Sequence, residues 1–238
     1  MDDDDVLGGV DDVGGTDAPA RGPKAARQAA QDLEFCRVRL SRVMKTLVRI
    51  MHHRCWKIVT VNGQKVETEK DVEDRVADFS DPHVAMQAEE SQAVVMTCVT
   101  DTGISAMAAL LQAINVDTMR DVQQTMDGAG IGHAILIARN RPTHIARKML
   151  TDSVEFFTMA NLQASIADHA LQPRHIRLNE AQTRRVRERF RNAKFPRMFD
   201  TDPMARFLNL HPGDVVMVLE CMGREQPIWT FFDVVPGE

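Results

Sequence analysis

Two groups of histidines are the residues of this chain whose type and spacing best suit metal binding. His52 and His53 lie just before Cys55, and His169 and His175 flank Pro173. Zinc sites combine one such group with further ligands at recognisable spacing. Neither group has a second ligand pair near it in the sequence. We therefore expect structural histidines, no bound metal and no other cofactor.

Nucleophilic catalysis would need an activated serine or cysteine. The G-x-S-x-G motif of many serine hydrolases is absent from the chain. The four cysteines lie within apolar patterns, where the reactive thiolate is disfavoured, and they form no C-x-x-C pair. They are Cys36, Cys55, Cys98 and Cys221. We expect reduced thiols in an intracellular protein.

Cleavage of nucleic acid by a restriction-type, metal-dependent nuclease would need paired carboxylates. One of these carboxylates stands two residues before a lysine, so both side chains lie on the same face of a strand. This spacing brings the metal ligands and the catalytic base together. No lysine of this chain has Asp or Glu at that position. The sequence therefore predicts no catalytic residues.

Three glycines invite comparison with phosphate-binding loops. Gly128, Gly130 and Gly132 follow a predicted helix and precede a predicted strand. A dinucleotide fingerprint has the reverse order, because phosphate binds where a strand gives way to a helix N-terminus. Helix C-capping explains these glycines better, and we expect no small-molecule ligand.

Contact with nucleic acid depends on basic residues. A cluster after the predicted strand 131–138 could contact phosphates of the DNA backbone. Its members are Arg139, Arg141, Arg147 and Lys148. The alternative interpretation is an ordinary solvated loop.

Charge is distributed unevenly along the 238 residues. Seven aspartates and no Lys or Arg fall in the first 19 residues; without those seven the net charge of −5 becomes about +2. Low apolar content and high charge predict a disordered acidic tail over 1–31, either a solvated extension or a partner-binding segment. No apolar signal-peptide core and no stretch of roughly 20 apolar residues is present, so we expect neither secretion nor a membrane partner.

The apolar periodicity changes after residue 31 and predicts two units. The first contains helices over 33–51, 69–79 and 117–126 and strands over 57–61, 93–100 and 131–138, an α/β pattern. The first helix carries a basic face that could meet phosphate or the acidic tail. The second unit contains a helix over 179–192, a helical turn over 203–208 and strands over 215–219 and 228–235, an α+β pattern.

The last third of the chain carries a series of short motifs. They are His169-Ala-Leu-Gln-Pro-Arg-His175, Phe195-Pro-Arg-Met198, Asp202-Pro-Met-Ala-Arg-Phe207 and Gly213-Asp-Val-Val216. Their order and spacing resemble the C-terminal domain of the fifth subunit of eukaryotic nuclear RNA polymerases, a family that includes an archaeal counterpart. Gln172 stands where that family usually has valine. The resemblance covers roughly 33–238 and is strongest over 165–216.

This resemblance implies a non-catalytic subunit of a DNA-directed RNA polymerase, located in the nucleus. It implies an α/β jaw domain with a nuclease-like, three-layer fold over 32–162, beside downstream DNA. A small α+β assembly domain over 163–238 would dock on the largest subunit, with other polymerase subunits as further partners. The expected docking residues are His169, Pro173, His175, Pro196, Arg197, Asp202, Pro203, Arg206, Gly213, Asp214 and Trp229.

The chain departs from the family near its end. Glu220 and Phe232 stand where family members usually carry arginine, and the strand 228–232 is apolar on both faces, which requires cover on both sides. These departures indicate a divergent paralogue that docks on one particular largest subunit, with nucleolar RNA polymerase I as the candidate. The alternatives are a metal-dependent nuclease on a related fold and a free-standing transcription regulator.

Overall fold

The computed structural model describes residues 23–81, 84, 87, 94–220 and 228–237, with the side chains of the first helix described from Val38 onward. The first 22 residues of the predicted tail and Cys221 lie outside this part of the chain. None of the helices described is long and apolar enough to cross a bilayer.

Helix α1 spans Pro23–His53 and is longer than predicted. The predicted disordered tail over 1–31 is therefore wrong for its last nine residues, 23–31, whose backbone is helical. Proline suits the first position of a helix, and the alanines that follow it are the best helix formers. Further along, Leu40, Met44 and Leu47 are fully buried on the inner face of this helix.

A six-stranded mixed sheet forms the centre of the first unit, in the order β2-β1-β3-β4-β5-β6. Its strands are β1 (Lys57–Val61), β2 (Gln64–Lys65), β3 (Val94–Val99), β4 (Ser105–Leu111), β5 (His133–Ala138) and β6 (Val154–Thr158). Its other helices are α2 (Glu69–Asp78), α3 (Val116–Ala129) and α4 (His144–Lys148). The last three strands run parallel and the others antiparallel.

Helices cover both faces of this sheet. Ile135 and Ile137 of β5 face the core that contains α1 and α2, whereas Ala134 and Leu136 face the core under α3. Successive side chains of a strand point to opposite faces. The uninterrupted apolar run of β5 thus reflects burial on both sides, as the sequence predicted.

Local turn and capping chemistry fixes the ends of several elements. Asn62 (φ 48°) and Gly63 (φ 72°) form the turn between β1 and β2. Thr68 caps α2 in a reciprocal capping box with Asp71. Gly130 ends α3 with a left-handed φ of 63°, which confirms the C-cap interpretation for this glycine, whereas Gly128 lies within the helix.

The second unit is built on a four-stranded sheet in the order β7-β9-β10-β8. Its elements are β7 (Arg174–Arg177), α5 (Glu180–Arg189), β8 (Arg197–Phe199), α6 (Pro203–Phe207), β9 (Val215–Glu220) and β10 (Ile228–Val235). A 3₁₀ turn, Ile166–Asp168, precedes them. Strands β8 and β10 are parallel, and the other pairs are antiparallel.

The two units share one hydrophobic core. Phe207 of α6 and Val216, Val218 and Val234 of the second sheet belong to the same buried cluster as α1 and the first sheet. The predicted boundary at 162/163 thus separates the two sheets, but it does not divide this core.

Candidate docking surface and unit junction

The second sheet has an inner face in the shared core and an outer face turned away from it. Val216, Val218 and Val234 lie on the inner face. Met217 pairs with Phe231, and Leu219 pairs with Trp229. Along each strand these residues alternate with the residues of the inner face. Because strand side chains alternate, these two pairs lie on the outer face.

Helix α5 covers only part of the outer face. Its end contributes Phe190, whose ring lies 5.8 Å from that of Phe231, and Arg187 is bonded to Asp233 at 2.9 Å. No residue of α5 itself is buried. Trp229 remains 49% exposed beside Leu219. The expected cover of strand 228–232 is therefore incomplete within the described part of the chain.

Several of the predicted docking residues set backbone geometry. The Pro173 carbonyl lies 2.8 Å from Nδ1 of His175 at the start of β7. The Pro196 carbonyl accepts the Asp233 N–H at 2.9 Å. His169 closes the 3₁₀ turn and is exposed, as is Arg197 of β8.

The turn into β9 is held by Gly213 and Asp214. Gly213 has a φ of +99°, which favours glycine. Asp214 accepts the backbone N–H of His211 at 2.8 Å and pairs with Arg177 at 3.2 Å. These contacts give Gly213 and Asp214 a structural role in the turn.

Asp202 and Pro203 begin helix α6. The Asp202 side chain accepts the Met204 N–H at 2.7 Å, and Pro203 occupies the first turn. Aspartate followed by proline is a favourable helix start, because the carboxylate caps the helix and proline suits its first turn.

Replacement of Asp202 by alanine is expected to lower the free energy of unfolding by about 1 kcal/mol, because the cap is lost. The Asp202→Asn variant should retain most of the stability that the cap contributes, since the amide oxygen of asparagine also caps a helix. Urea denaturation followed by circular dichroism measures both variants. Equal losses for the two would contradict a capping role.

Arg206, one of the predicted docking residues, is half-buried and turned towards strand β6. Its guanidinium lies 4.7 Å from the ring of Phe157 and 5.3 Å from that of Phe156, and it donates to the Phe156 carbonyl. Burial lowers the pKa of this guanidinium. Arg206 therefore attaches α6 to strand β6 of the first unit.

A buried ion pair lies at the same place. Arg54 donates to both carboxylate oxygens of Glu155, at 2.8 and 2.9 Å, and to the carbonyls of Arg206 at 2.7 Å and Phe207 at 3.0 Å. The Arg54 side chain is only 2% exposed. One guanidinium thus joins the end of α1, strand β6 and the end of α6.

Two aromatic rings, those of Trp56 and His133, lie beside this ion pair. We call the whole group the junction cluster, and its members are Arg54, Trp56, His133, Glu155 and Arg206. The Arg54 guanidinium lies 5.1 Å from the Trp56 ring, and His133 contacts that ring edge-on at 5.1 Å. His133 Nε2 lies 2.7 Å from Glu155 Oε1. Burial alone would raise the pKa of Glu155, but Arg54 and the hydrogen bonds from His133 and Arg54 outweigh it and lower that pKa to about 2.

Sequence reasoning missed this cluster because its members are far apart in the chain. Arg54 and Glu155 are separated by 101 positions. The one available signal was Glu155 itself, a single charge within the apolar strand Val154–Thr158. A charge in such a strand needs a buried partner.

The four predicted DNA-contact residues are all exposed on the connection between β5 and β6. Arg139 and Arg141 follow β5, whereas Arg147 and Lys148 form the last turn of α4, where the sequence had predicted a loop. We call these four residues the jaw-loop cluster. Their positive charges project from one surface segment, which suits contact with phosphates.

The histidine and cysteine groups show no metal-binding arrangement within the described ranges, where no three His, Cys, Asp or Glu residues converge. His53 instead packs edge-on against Phe207.

Cys98 is buried, and burial raises the pKa of its thiol to about 12. Cys55 is exposed, contrary to the apolar setting predicted for all four cysteines. The side chain of Cys36 lies outside the described residues.

Comparison with known proteins gives a consistent result for both units. Residues 164–221 match the family model of the RNA polymerase Rpb5 C-terminal domain. Two curated relatives are described as DNA-directed RNA polymerases I, II, and III subunit RPABC1. That of Caenorhabditis briggsae is 25% identical over 207 residues, 81% of this chain and 95% of the relative. That of Caenorhabditis elegans is 23% identical over 206 residues, with the same coverage.

Proposed function

We propose that this chain, which is similar to the fifth subunit of RNA polymerases and matches the Rpb5 C-terminal domain over 164–221, is a non-catalytic subunit of a nuclear DNA-directed RNA polymerase. The C-terminal unit docks on the largest subunit, and other polymerase subunits complete the complex. The observation that carries the docking proposal is the half-covered outer face of the second sheet. Trp229 is a large aromatic side chain, 49% exposed there, and aromatic residues are enriched at interface centres.

The first unit would then serve as the jaw beside downstream DNA. Its mixed sheet with helices on both faces suits the nuclease-like three-layer description. The jaw-loop cluster supplies four exposed cations on one connection. Contacts to phosphate would position the protein along the duplex without reading its sequence.

Tagged purification of the chain from its own cells, with mass spectrometry of the recovered proteins, tests the proposal. A polymerase subunit should co-sediment with the complete enzyme through a gradient at high salt. A free-standing regulator held by surface charge would dissociate there, because salt screens exposed charges. Metal-dependent DNA cleavage by the purified chain would instead favour the nuclease alternative.

Trp229→Ala is expected to weaken incorporation into the polymerase more than Arg141→Ala does. Truncation of an aromatic side chain buried on docking costs roughly 3–5 kcal/mol, whereas one phosphate contact is modest and screened by salt. A pull-down of the largest subunit, quantified for each variant, measures the ranking. Ile145→Ala is the matched control, since Ile145 is an apolar side chain 63% exposed on α4. Equal recovery of the Trp229 and Arg141 variants would reject the ranking.

A narrower proposal is that the chain serves RNA polymerase I alone, in the nucleolus. Phe232, where the family usually has arginine, packs against the shared core, and Glu220 ends β9 with an exposed carboxylate. A subunit common to three enzymes would have less freedom to lose those arginines. Because the two relatives are described as subunits of polymerases I, II and III, a shared subunit is the competing outcome. Equal recovery of all three largest subunits in the purification would select it.

A further inference from the structure

The largest group of exposed basic residues in the described chain lies on and after helix α5. Residues 180–197 carry six arginines and Lys194 against Glu180 and Glu188. All seven of these basic residues are exposed. We call this segment the basic helix surface. It lies in the second unit and is separate from the jaw-loop cluster.

Few internal partners neutralise this surface. Arg187 pairs with Asp233 at 2.9 Å. Within the part of the chain that the structure describes, no ion pair joins Arg184, Arg185 or Arg191 to another side chain. The helix also buries none of its own residues. Its solvent side is thus a positively charged surface without a described partner.

The same chain contains a segment of opposite charge. Residues 1–22 carry seven aspartates and a single basic residue, Arg21. A segment of 22 residues can extend over at most about 75 Å, whereas the 31 residues of α1 span about 46 Å. The extended segment is therefore longer than α1, long enough to run back from Pro23 to the end of that helix, where His53 contacts Phe207 of the second unit. Binding within one chain also proceeds at a high effective concentration.

We propose that the acidic segment 1–22 binds the basic helix surface of its own chain and occupies it when no external polyanion is present. The contact is electrostatic: aspartate carboxylates accept hydrogen bonds from the exposed guanidinium groups of Arg184, Arg185 and Arg191. The consequence is that acidic peptides or nucleic acid reach this surface only by displacing the segment. The contact forms whether or not the chain is a subunit of a polymerase.

The basic face of α1 and the jaw-loop cluster are the rival sites. On α1, Arg49 is already paired with Asp168 of the 3₁₀ turn. The jaw-loop cluster has four basic residues, against seven in the basic helix surface. The number of exposed basic residues therefore favours the surface on α5.

Arginine footprinting of the full chain with phenylglyoxal tests the proposal directly. The reagent modifies exposed guanidinium groups, and mass spectrometry gives the rate at each site. We expect modification of Arg184, Arg185 and Arg191 to be several-fold slower in the wild-type chain at low salt than in a full-length variant with all seven tail aspartates changed to asparagine. The difference should vanish at 1 M salt, where the screening length is about 3 Å.

Arg141 and Arg42 are the internal controls, because both are exposed and belong to the rival sites. Their rates should be unchanged between the two chains. Equal rates at Arg184, Arg185 and Arg191 in the two chains at low salt would overturn the proposal. Protection of Arg141 or Arg42 equal to that on α5 would also overturn it, because the acidic segment would then lack a defined site.

Discussion

Arg54→Ala should lower the free energy of unfolding by about 3–5 kcal/mol, because removing one partner of a buried ion pair leaves the other charge unpaired. Here the carboxylate of Glu155 would keep its contact with His133 but lose two hydrogen bonds from Arg54, and the carbonyls of Arg206 and Phe207 would lose the same donor. Chemical denaturation at neutral pH, followed by circular dichroism, measures the change.

Arg49→Ala is the matched control for that experiment. Arg49 lies on the same helix and also forms an ion pair, with Asp168, but its side chain is 54% exposed. Exposed pairs contribute about 0–1 kcal/mol. Similar losses for the two variants would contradict a special role for the junction cluster. Arg54→Met combined with Glu155→Leu should recover part of the loss, since no unpaired charge would remain, although the two carbonyls would still lack their donor.

Acid should destabilise the protein through the same carboxylate. The folded-state pKa of Glu155 is lowered from 4.5 to about 2, so its contribution is fully present above about pH 4.5. It should be lost progressively as the pH falls from about 4.5 towards 2, because the unfolded chain then binds a proton that the folded chain does not. A shift of this size corresponds to about 3 kcal/mol. Arg54, His133 and Arg206 are the charged or titratable groups that face this carboxylate.

Urea denaturation between pH 6 and pH 3 measures this dependence, with Glu155→Gln as the variant. The variant should be less stable than wild type at pH 6, and its stability should fall less steeply below pH 4.5. Other carboxylates, such as Asp71 with its lowered pKa, contribute the same background to both proteins. Parallel slopes for the two proteins would show that Glu155 does not titrate as described.

Elements with local signals were predictable from the sequence. Thr68, Asn62-Gly63 and Asn179 each mark an element boundary through a cap or turn that needs only neighbouring residues. The capped turn at Asp202 followed from the same chemistry. The C-terminal motif series also pointed to the family whose domain model matches residues 164–221.

Elements stabilised by distant contacts were not predictable. Strand β4 has the sequence Ser-Ala-Met-Ala-Ala-Leu-Leu, which favours helix, yet it lies between β3 and β5 and is buried from Ala106 onward. Tertiary packing thus overrides its propensity. Arg54 and Arg206 likewise have no local signature, because their partners in β6 lie 101 and 50 positions away.

The position of Arg206 has a consequence for solubility. Strand β6 is the last strand of the first sheet in the described chain, and an open strand edge is a template for pairing with another molecule. Arg206 donates to a carbonyl of this strand and lies over Phe156 and Phe157, so the second unit acts as a shield for the edge. Truncation before α6 would remove that shield, and the shortened chain should aggregate through β6 even though all six strands of the first sheet remain.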